Sequence, residues 1–293
     1  MNLRDLQYLV ALAETRHFGR AAARCHVSQP TLSAQLRKLE DYLGVALIER
    51  RPRRVALTAA GVAVIERARR MLQDADDIRA LARASQDPLA GQLKVGLIPT
   101  LGPYLLPRVM PRIAEALPKL SLLLHEYQTG PLVQQVLDGE LDLAILALPA
   151  DTRGLQTRPL FAETFLVAMP ERHRLAAKRR LRTADLAGDK LLLLEEGHCL
   201  REHALEACSR AGVEEQGFRA TSLETLRQMV ASGAGITLLP RLAAEGPFAS
   251  ARGLMVRPFA PPVPSRTIGA AWRRSTSRGA AIAAVCDVVQ KAA

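Results

Sequence analysis

The stretch Phe18-Gly19-Arg20-Ala21-Ala22-Ala23-Arg24-Cys25-His26-Val27-Ser28-Gln29-Pro30-Thr31-Leu32-Ser33 decides how the chain is read. Phe18 to Cys25 predicts a short helix whose alanines allow a neighbour to pack closely. Cys25-His26-Val27 predicts a compact turn. Ser28 then places an N-cap hydroxyl ahead of Pro30, which a first helical turn tolerates. The helix that follows has the buried stripe Leu32, Leu36, Leu39 and Leu43 and stops at Gly44. Upstream, Leu3, Leu6, Leu9, Val10 and Ala13 recur at helical spacing. This is a helix-turn-helix pattern, in which the second helix of the unit enters the DNA major groove N-terminus first. Ser, Thr and Gln near that end can reach base edges or phosphates, and the helix dipole favours phosphate.

The charge distribution agrees. The 293 residues carry 40 Lys and Arg against 29 Asp and Glu, a net +11. Thirteen of the basic and six of the acidic residues fall in residues 1–70, so seven of the eleven net charges are N-terminal. An anionic partner, double-stranded DNA first, follows from that excess. Val45 to Arg50 and Val55 to Leu57 flank Arg51-Pro52-Arg53-Arg54, which predicts a two-stranded wing with Arg50, Arg53 and Arg54 set for phosphate or minor-groove contact. Thr58 caps a long helix reaching about Gln86. In it Val64, Met71 and Ile78 lie seven apart, with Ala68, Ala75 and Ala82 four after each, a seam that expects a second copy of the chain.

Asp87-Pro88-Leu89-Ala90-Gly91 is a breaker-rich hinge. Beyond it, apolar runs at Leu93 to Ile98, Leu120 to Leu124, Leu141 to Leu148, Phe165 to Met169, Leu191 to Leu194 and Ile236 to Leu239 alternate with helical stretches. That alternation predicts α/β structure with largely parallel sheets. The domains are therefore 1–58, a winged helix-turn-helix; 59–86, a linker and dimerisation helix; and 87–293, an α/β regulatory part, in an α+β multidomain chain. With 48% hydrophobic and 24% charged residues, collagen, rod and disordered tail are excluded. No run approaches the roughly 18 apolar residues of a spanning helix, and Met1-Asn2-Leu3-Arg4-Asp5 does not begin a signal peptide, so no membrane and a cytoplasmic location are expected. There is no Walker loop and no Gly-x-Ser-x-Gly, and Gly233-Ala234-Gly235 reads as a helix terminus.

The four cysteines are too few and too scattered for a secreted framework. Cys25 and Cys286 read as small core residues. Glu195 to Cys208 is different: Leu200, Ala204, Leu205, Ala207 and Cys208 fit a helix starting near Cys199. The dipole there, His198 and Arg201 are expected to favour the Cys199 thiolate. Cys208 lies nine residues on, on the order of 13 Å along a continuous helix, whereas a disulfide tolerates at most about 7 Å. Cys199 and His203 also share a helical face as metal ligands can, but Cys208 is too distant to complete a site, so neither metal nor cofactor is expected.

Leu6-Gln7-Tyr8-Leu9, Phe18-Gly19-Arg20-Ala21-Ala22, Ser28-Gln29-Pro30-Thr31-Leu32-Ser33 and Leu57-Thr58-Ala59-Ala60-Gly61 resemble the winged helix-turn-helix of LysR-type transcriptional regulators. The resemblance implies base contacts from Ser28, Pro30, Thr31, Ser33, Gln35 and Arg37, and wing contacts from Arg50, Arg53 and Arg54. It also implies two α/β subdomains like a type 2 periplasmic binding protein. Gly96 to Thr100, Gly102 to Pro107, Gly197 to Arg201, Phe218 to Arg227 and Arg266 to Gly269 resemble the peroxide-sensing branch of that family. That likeness implies a regulator switched by hydrogen peroxide, with Cys199 as the attacking residue and Cys208 as its resolving partner in a reversible disulfide. Thr100, Thr129, His198 and Arg266 are the implied peroxide-holding groups. It further implies a dimer of dimers, contact with RNA polymerase, and a thiol reductant that resets the switch. Ser209 to Gly217 depart from the pattern. Two other readings stand beside this one: a LysR-type regulator answering to a small molecule in its interdomain cleft, and a thiol peroxidase that binds DNA.

Overall fold

The computed structural model describes residues 1–51, 54–84, 87–208, 212, 214–245 and 252–292, which fall into two compact units, Met1–Gln86 and Asp87–Ala293.

In the first unit, α1 (Leu3–Thr15) opens with a capping box: Asn2 Oδ1 accepts from Asp5 N at 3.0 Å and Asp5 Oδ2 accepts from Asn2 N at 2.9 Å. α2 (Phe18–Arg24) packs Ala21 and Ala22 into the core, and the chain turns through His26 at φ 55°. α3 (Gln29–Leu43) starts at the Ser28 cap and ends at Gly44, whose φ of 68° suits glycine. Leu9, Leu12, Leu32, Leu36 and Leu39 close the core between these helices. β1 (Ile48–Arg51) and β2 (Arg54–Leu57) pair antiparallel as the wing. Glu40 Oε1 ties it to α3 by accepting from Leu47 N at 2.8 Å and Ile48 N at 3.0 Å. Thr58 Oγ1 donates to Ala46 O at 2.7 Å and accepts from Gly61 N at 2.9 Å, capping α4 (Ala59–Ala84). Along the expected seam, Val64 and Ala68 pack within this unit while Met71 and Ile78 are exposed.

The second unit is built on a seven-stranded sheet: β3 (Gly91–Leu97), β4 (Leu120–Glu126), β5 (Leu143–Leu148), β6 (Leu155–Pro170), β9 (Thr237–Pro240), β10 (Leu254–Pro258) and β11 (Ser265–Arg273). A separate small sheet pairs β7 (Lys190–Leu194) with β8 (Glu214–Ala220). The helices are α5 (Gly102–Ala116), α6 (Thr129–Leu137), α7 (Cys199–Cys208), α8 (Leu223–Ala231), α9 (Arg241–Ala244) and α10 (Gly279–Ala292), with a 3-10 turn at Thr183–Leu186. The expectation of largely parallel sheets is corrected: β3 pairs parallel with β4 and β5, but β6 and β11 run antiparallel to each other and to every other strand they meet. Two long return strands impose this, because antiparallel pairing needs no helical crossover. β6 is far longer than the apolar run Phe165 to Met169, since polar Gln156, Thr157 and Arg158 interrupt its first half and Glu163 opens its second; β8, β10 and β11 are strands beyond those the apolar runs predict.

Gly233 takes φ 92° just past α8, as a helix terminus requires, and a Cβ on Gly235 would overlap the Lys190 carbonyl oxygen. Gly235→Ala should therefore destabilise the second unit by on the order of 2 kcal/mol. Urea unfolding of the full chain followed by Trp272 fluorescence should show a lower midpoint; an unchanged midpoint contradicts the close approach.

Candidate functional site

The strand β7 leads through Glu195, Glu196 and Gly197 into α7. Gly197 sits at φ 93°, a backbone conformation that side chains with a Cβ rarely adopt, so this turn favours glycine. Cys199 thereby begins α7, as expected from the sequence, and Cys208 ends the same helix.

Three other segments converge on Cys199. Thr100 follows β3 and is buried, Thr129 begins α6, and Arg266 comes from β11. Arg266 is 2% exposed and fully engaged. Its Nη1 donates to Thr100 Oγ1 at 2.9 Å and its Nη2 to the Thr100 carbonyl at 3.0 Å. Its Nε donates to Glu163 Oε2 at 2.9 Å, with Nη2 2.8 Å from the same oxygen. Glu163 stands directly opposite Arg266 in the β6–β11 ladder, and its other oxygen accepts from Leu242 N at 3.0 Å. Thr129 Oγ1 is buried with no well-formed hydrogen bond among the described residues, yet its hydroxyl is close enough to the Cys199 sulfur to favour the thiolate. His203, one turn after Cys199, lies against Phe165 with ring centroids 6.0 Å apart, and the Arg266 guanidinium carbon lies 6.0 Å from the same phenyl ring.

The electrostatics correct one expectation. Helix start, His198 and Arg201 were to lower the Cys199 thiol pKa, but burial dominates and pushes it up. Arg266 opposes this, followed by Thr129. His198 supplies no positive charge, because burial holds its imidazole below its ordinary pKa despite Glu195 at 3.9 Å and a hydrogen bond to the Thr221 backbone. Burial also pushes the Cys208 thiol up to about 11. The two sulfurs sit on one unbroken helix nine residues apart, so on the order of 13 Å separates their Cα atoms, beyond disulfide reach.

Of the expected site residues, Cys199, Thr100, Thr129 and Arg266 are brought together, His198 adjoins Cys199 in the chain, and Cys208 is held apart. Glu163 and His203 belong to the site and were not read as such. Glu163 could be found only from the β6–β11 register; His203 carries a signal in its four-residue spacing from Cys199, a spacing that metal ligands share but that finds no third ligand among the described residues.

In the first unit, Pro30, Thr31 and Arg37 are exposed on α3, while Ser33 and Gln35 are half-buried. The Ser28 and Thr31 hydroxyls lie 2.7 Å apart and Ser28 Oγ accepts from Thr31 N at 3.3 Å, so both also close the helix start. Arg50 and Arg54 lie on the ribbon strands. Arg53 and Ser209 fall outside the described residues.

Comparison with known proteins gives two family matches: "Bacterial regulatory helix-turn-helix protein, lysR family" over residues 3–62 and "LysR substrate binding domain" over residues 86–293. The chain is 51% identical over 274 residues to the DNA-binding transcriptional dual regulator OxyR of Escherichia coli (strain K12), covering 93% of this chain and 90% of that protein. A full-length OxyR from Pseudomonas aeruginosa bearing a cysteine-to-aspartate substitution superposes with a TM-score of 0.80 at 43% identity, covering 100% of this chain and 96% of that one. A cysteine-to-serine variant of OxyR from Corynebacterium glutamicum, bound to hydrogen peroxide, gives a TM-score of 0.69 at 35% identity over 99% of this chain and 92% of that one.

Two outcomes follow from the buried pair and the thiol. Arg266→Ala should move the pH dependence of Cys199 alkylation, followed by quantitative peptide mapping, to higher pH than in the unsubstituted chain; a shift to lower pH would mean that Arg266 does not stabilise the thiolate. Glu163→Ala should strip Arg266 of its carboxylate and cost roughly 3–5 kcal/mol, read again as the urea midpoint of Trp272 fluorescence.

Proposed function

The chain belongs to the LysR family of bacterial helix-turn-helix regulators, and on that premise we propose that it is a DNA-binding transcription regulator of oxidative-stress genes, switched by hydrogen peroxide at Cys199. The observation that carries this reading is the placement of a cysteine at the start of α7, among Thr100, Thr129 and Arg266, with a second cysteine at the far end of the same helix.

The geometry gives each group work to do. Thr100 Oγ1 accepts from Arg266 and keeps its own hydroxyl hydrogen to donate; the Thr129 hydroxyl stands beside the Cys199 sulfur with no well-formed hydrogen bond among the described residues. Two such donors can hold the two oxygens of peroxide, with His198 beside them. The Cys199 sulfur, losing its proton, attacks the nearer oxygen. An S–O bond forms, the O–O bond breaks, and the departing hydroxide takes up a proton as water beside the Arg266 guanidinium. Cys199 is then a sulfenic acid. Attack on it by the Cys208 thiol forms the disulfide and releases a second water. That bond requires α7 to unwind, so one chemical event becomes a change of fold. A thiol reductant reverses it. One oxidation per signal suffices, so turnover as an enzyme is not part of this reading, and no cofactor is needed.

DNA contact falls to α3 and the wing, through Ser28, Pro30, Thr31, Ser33, Gln35 and Arg37 with Arg50, Arg53 and Arg54. Exposed Met71 and Ile78 on α4 suit pairing of two chains over two half-sites. Two such pairs would make the dimer of dimers whose rearrangement RNA polymerase reads. No helix among the described residues is long and apolar enough to cross a membrane, and a cytoplasmic location fits a DNA-bound regulator.

Titrating the reduced protein with near-stoichiometric hydrogen peroxide, followed by differential thiol labelling and peptide mapping, should yield a Cys199–Cys208 cross-link with Cys25 and Cys286 still thiols. Oxidation of Cys199 no faster than of Cys286 would sink the redox reading. Cys199→Ser should abolish the response and preserve DNA binding. Arg37→Ala should weaken binding across sequences or at one base position; if it removes a phosphate contact, the salt slope falls by about one unit.

A further inference from the structure

We propose that His203 is the general base that takes the proton from Cys199 as its sulfur attacks peroxide, a role that rests on the peroxide-sensing reading above. Side chains four residues apart on a helix are neighbours, and each leans toward the N-terminus, over the preceding turn. The His203 imidazole therefore lies over the turn that carries Cys199. Its Nδ1 is closed off from solvent and has no hydrogen-bond partner among the described residues. Phe165 forms the wall on which this ring and the Arg266 guanidinium both rest, each 6.0 Å from the phenyl ring centre. His203 thus faces the group that already contacts Thr100 and Glu163.

The other groups around the sulfur are unsuited to accept a proton. Arg266 is permanently cationic and engaged with Glu163 and Thr100. Neither threonine hydroxyl is basic. His198 is committed to the Thr221 backbone and lies 3.9 Å from Glu195. The charged groups that act on His203 are Arg266 from β11 and Glu206 and Glu202 from its own helix; burial and Arg266 keep its imidazole neutral against the two carboxylates. Burial likewise favours the protonated Cys199 thiol. A standing thiolate–imidazolium pair is consequently disfavoured, and the proton moves in concert with S–O bond formation. Cys199 S–H passes its proton to Nδ1 through one bridging water, the sulfur bonds one peroxide oxygen, the O–O bond breaks, and the hydroxide leaving from the other oxygen recovers that proton from the imidazolium by the same route, becoming water. The balance is one thiol and one hydrogen peroxide giving one sulfenic acid and one water.

The test is the rate of Cys199 oxidation by hydrogen peroxide in the full-length Cys208→Ser chain, which stops at the sulfenic acid, quenched with a sulfenic-acid trap and followed from about pH 5 to pH 8. With His203 present the rate should fall on the acid side as the imidazole becomes protonated. His203→Gln, similar in size but unable to titrate, should react at least about tenfold more slowly at neutral pH and lose that acid-side fall. His203→Asn, judged by the same two criteria, covers the case in which the glutamine variant does not fold. A variant that oxidises as fast as its parent, or slows while keeping the parent's pH profile, overturns the proposal. If Cys199 in the His203-containing chain oxidises no faster than Cys286, the peroxide-sensing reading itself fails, and this role fails with it.

Discussion

The buried pair of Arg266 and Glu163 is the constraint around which the second unit is organised. Two full charges, both nearly sealed from water, stand opposite each other on neighbouring antiparallel strands. Withdrawing them from solvent costs several kcal/mol each, and that cost is offset only if every donor and acceptor is used. Most are: Glu163 accepts from Arg266 and from the Leu242 backbone, and Arg266 reaches both the hydroxyl and the carbonyl of Thr100. The pair thus fastens β6, β11, the start of α9 and the loop after β3 to one another. The geometry beside Cys199 is a consequence of that fastening.

The same burial sets the chemistry in opposition to itself. An excluded pocket strengthens the pull of Arg266 on a developing negative charge, yet burial also raises the pKa of the Cys199 and Cys208 thiols. The resting cysteine is therefore held as a thiol, and reactivity depends on groups that act as charge develops. α7 adds a second restraint, since it keeps the two sulfurs out of bonding range for as long as it remains helical.

The first unit follows a simpler logic. Its helices start on side-chain caps at Asn2, His17 and Ser28, and its leucine stripe closes one small core. Net positive charge is denser there, +6 over 86 residues against +5 over the 207 of the second unit. Polyanion binding and chemical sensing are thereby divided between two compact units, each with its own core.

Much of this was legible in the amino-acid sequence, and the reason is range. The short helix, the turn through His26, the Ser28 cap, the stop at Gly44, the hinge after Gln86 and the start of α7 at Cys199 are each set by residues within one or two helical turns, where periodicity, caps and glycine act directly. What lay beyond such reading depends on partners distant in the chain. The first half of β6 has no apolar alternation to announce it, and only pairing with β11 makes it a strand. Glu163 is one acidic residue among many until the register sets it opposite an arginine 103 positions along the chain. The state of the Cys199 thiol was misjudged for the same reason, since its immediate neighbours suggested a stabilised thiolate while tertiary burial, which no local pattern encodes, raises its pKa. By itself the sequence determined the local elements and which thiol and polar side chains the chain offers; the tertiary structure decided their electrostatic surroundings and who faces whom, because desolvation and cross-strand pairing exist only once distant segments have met.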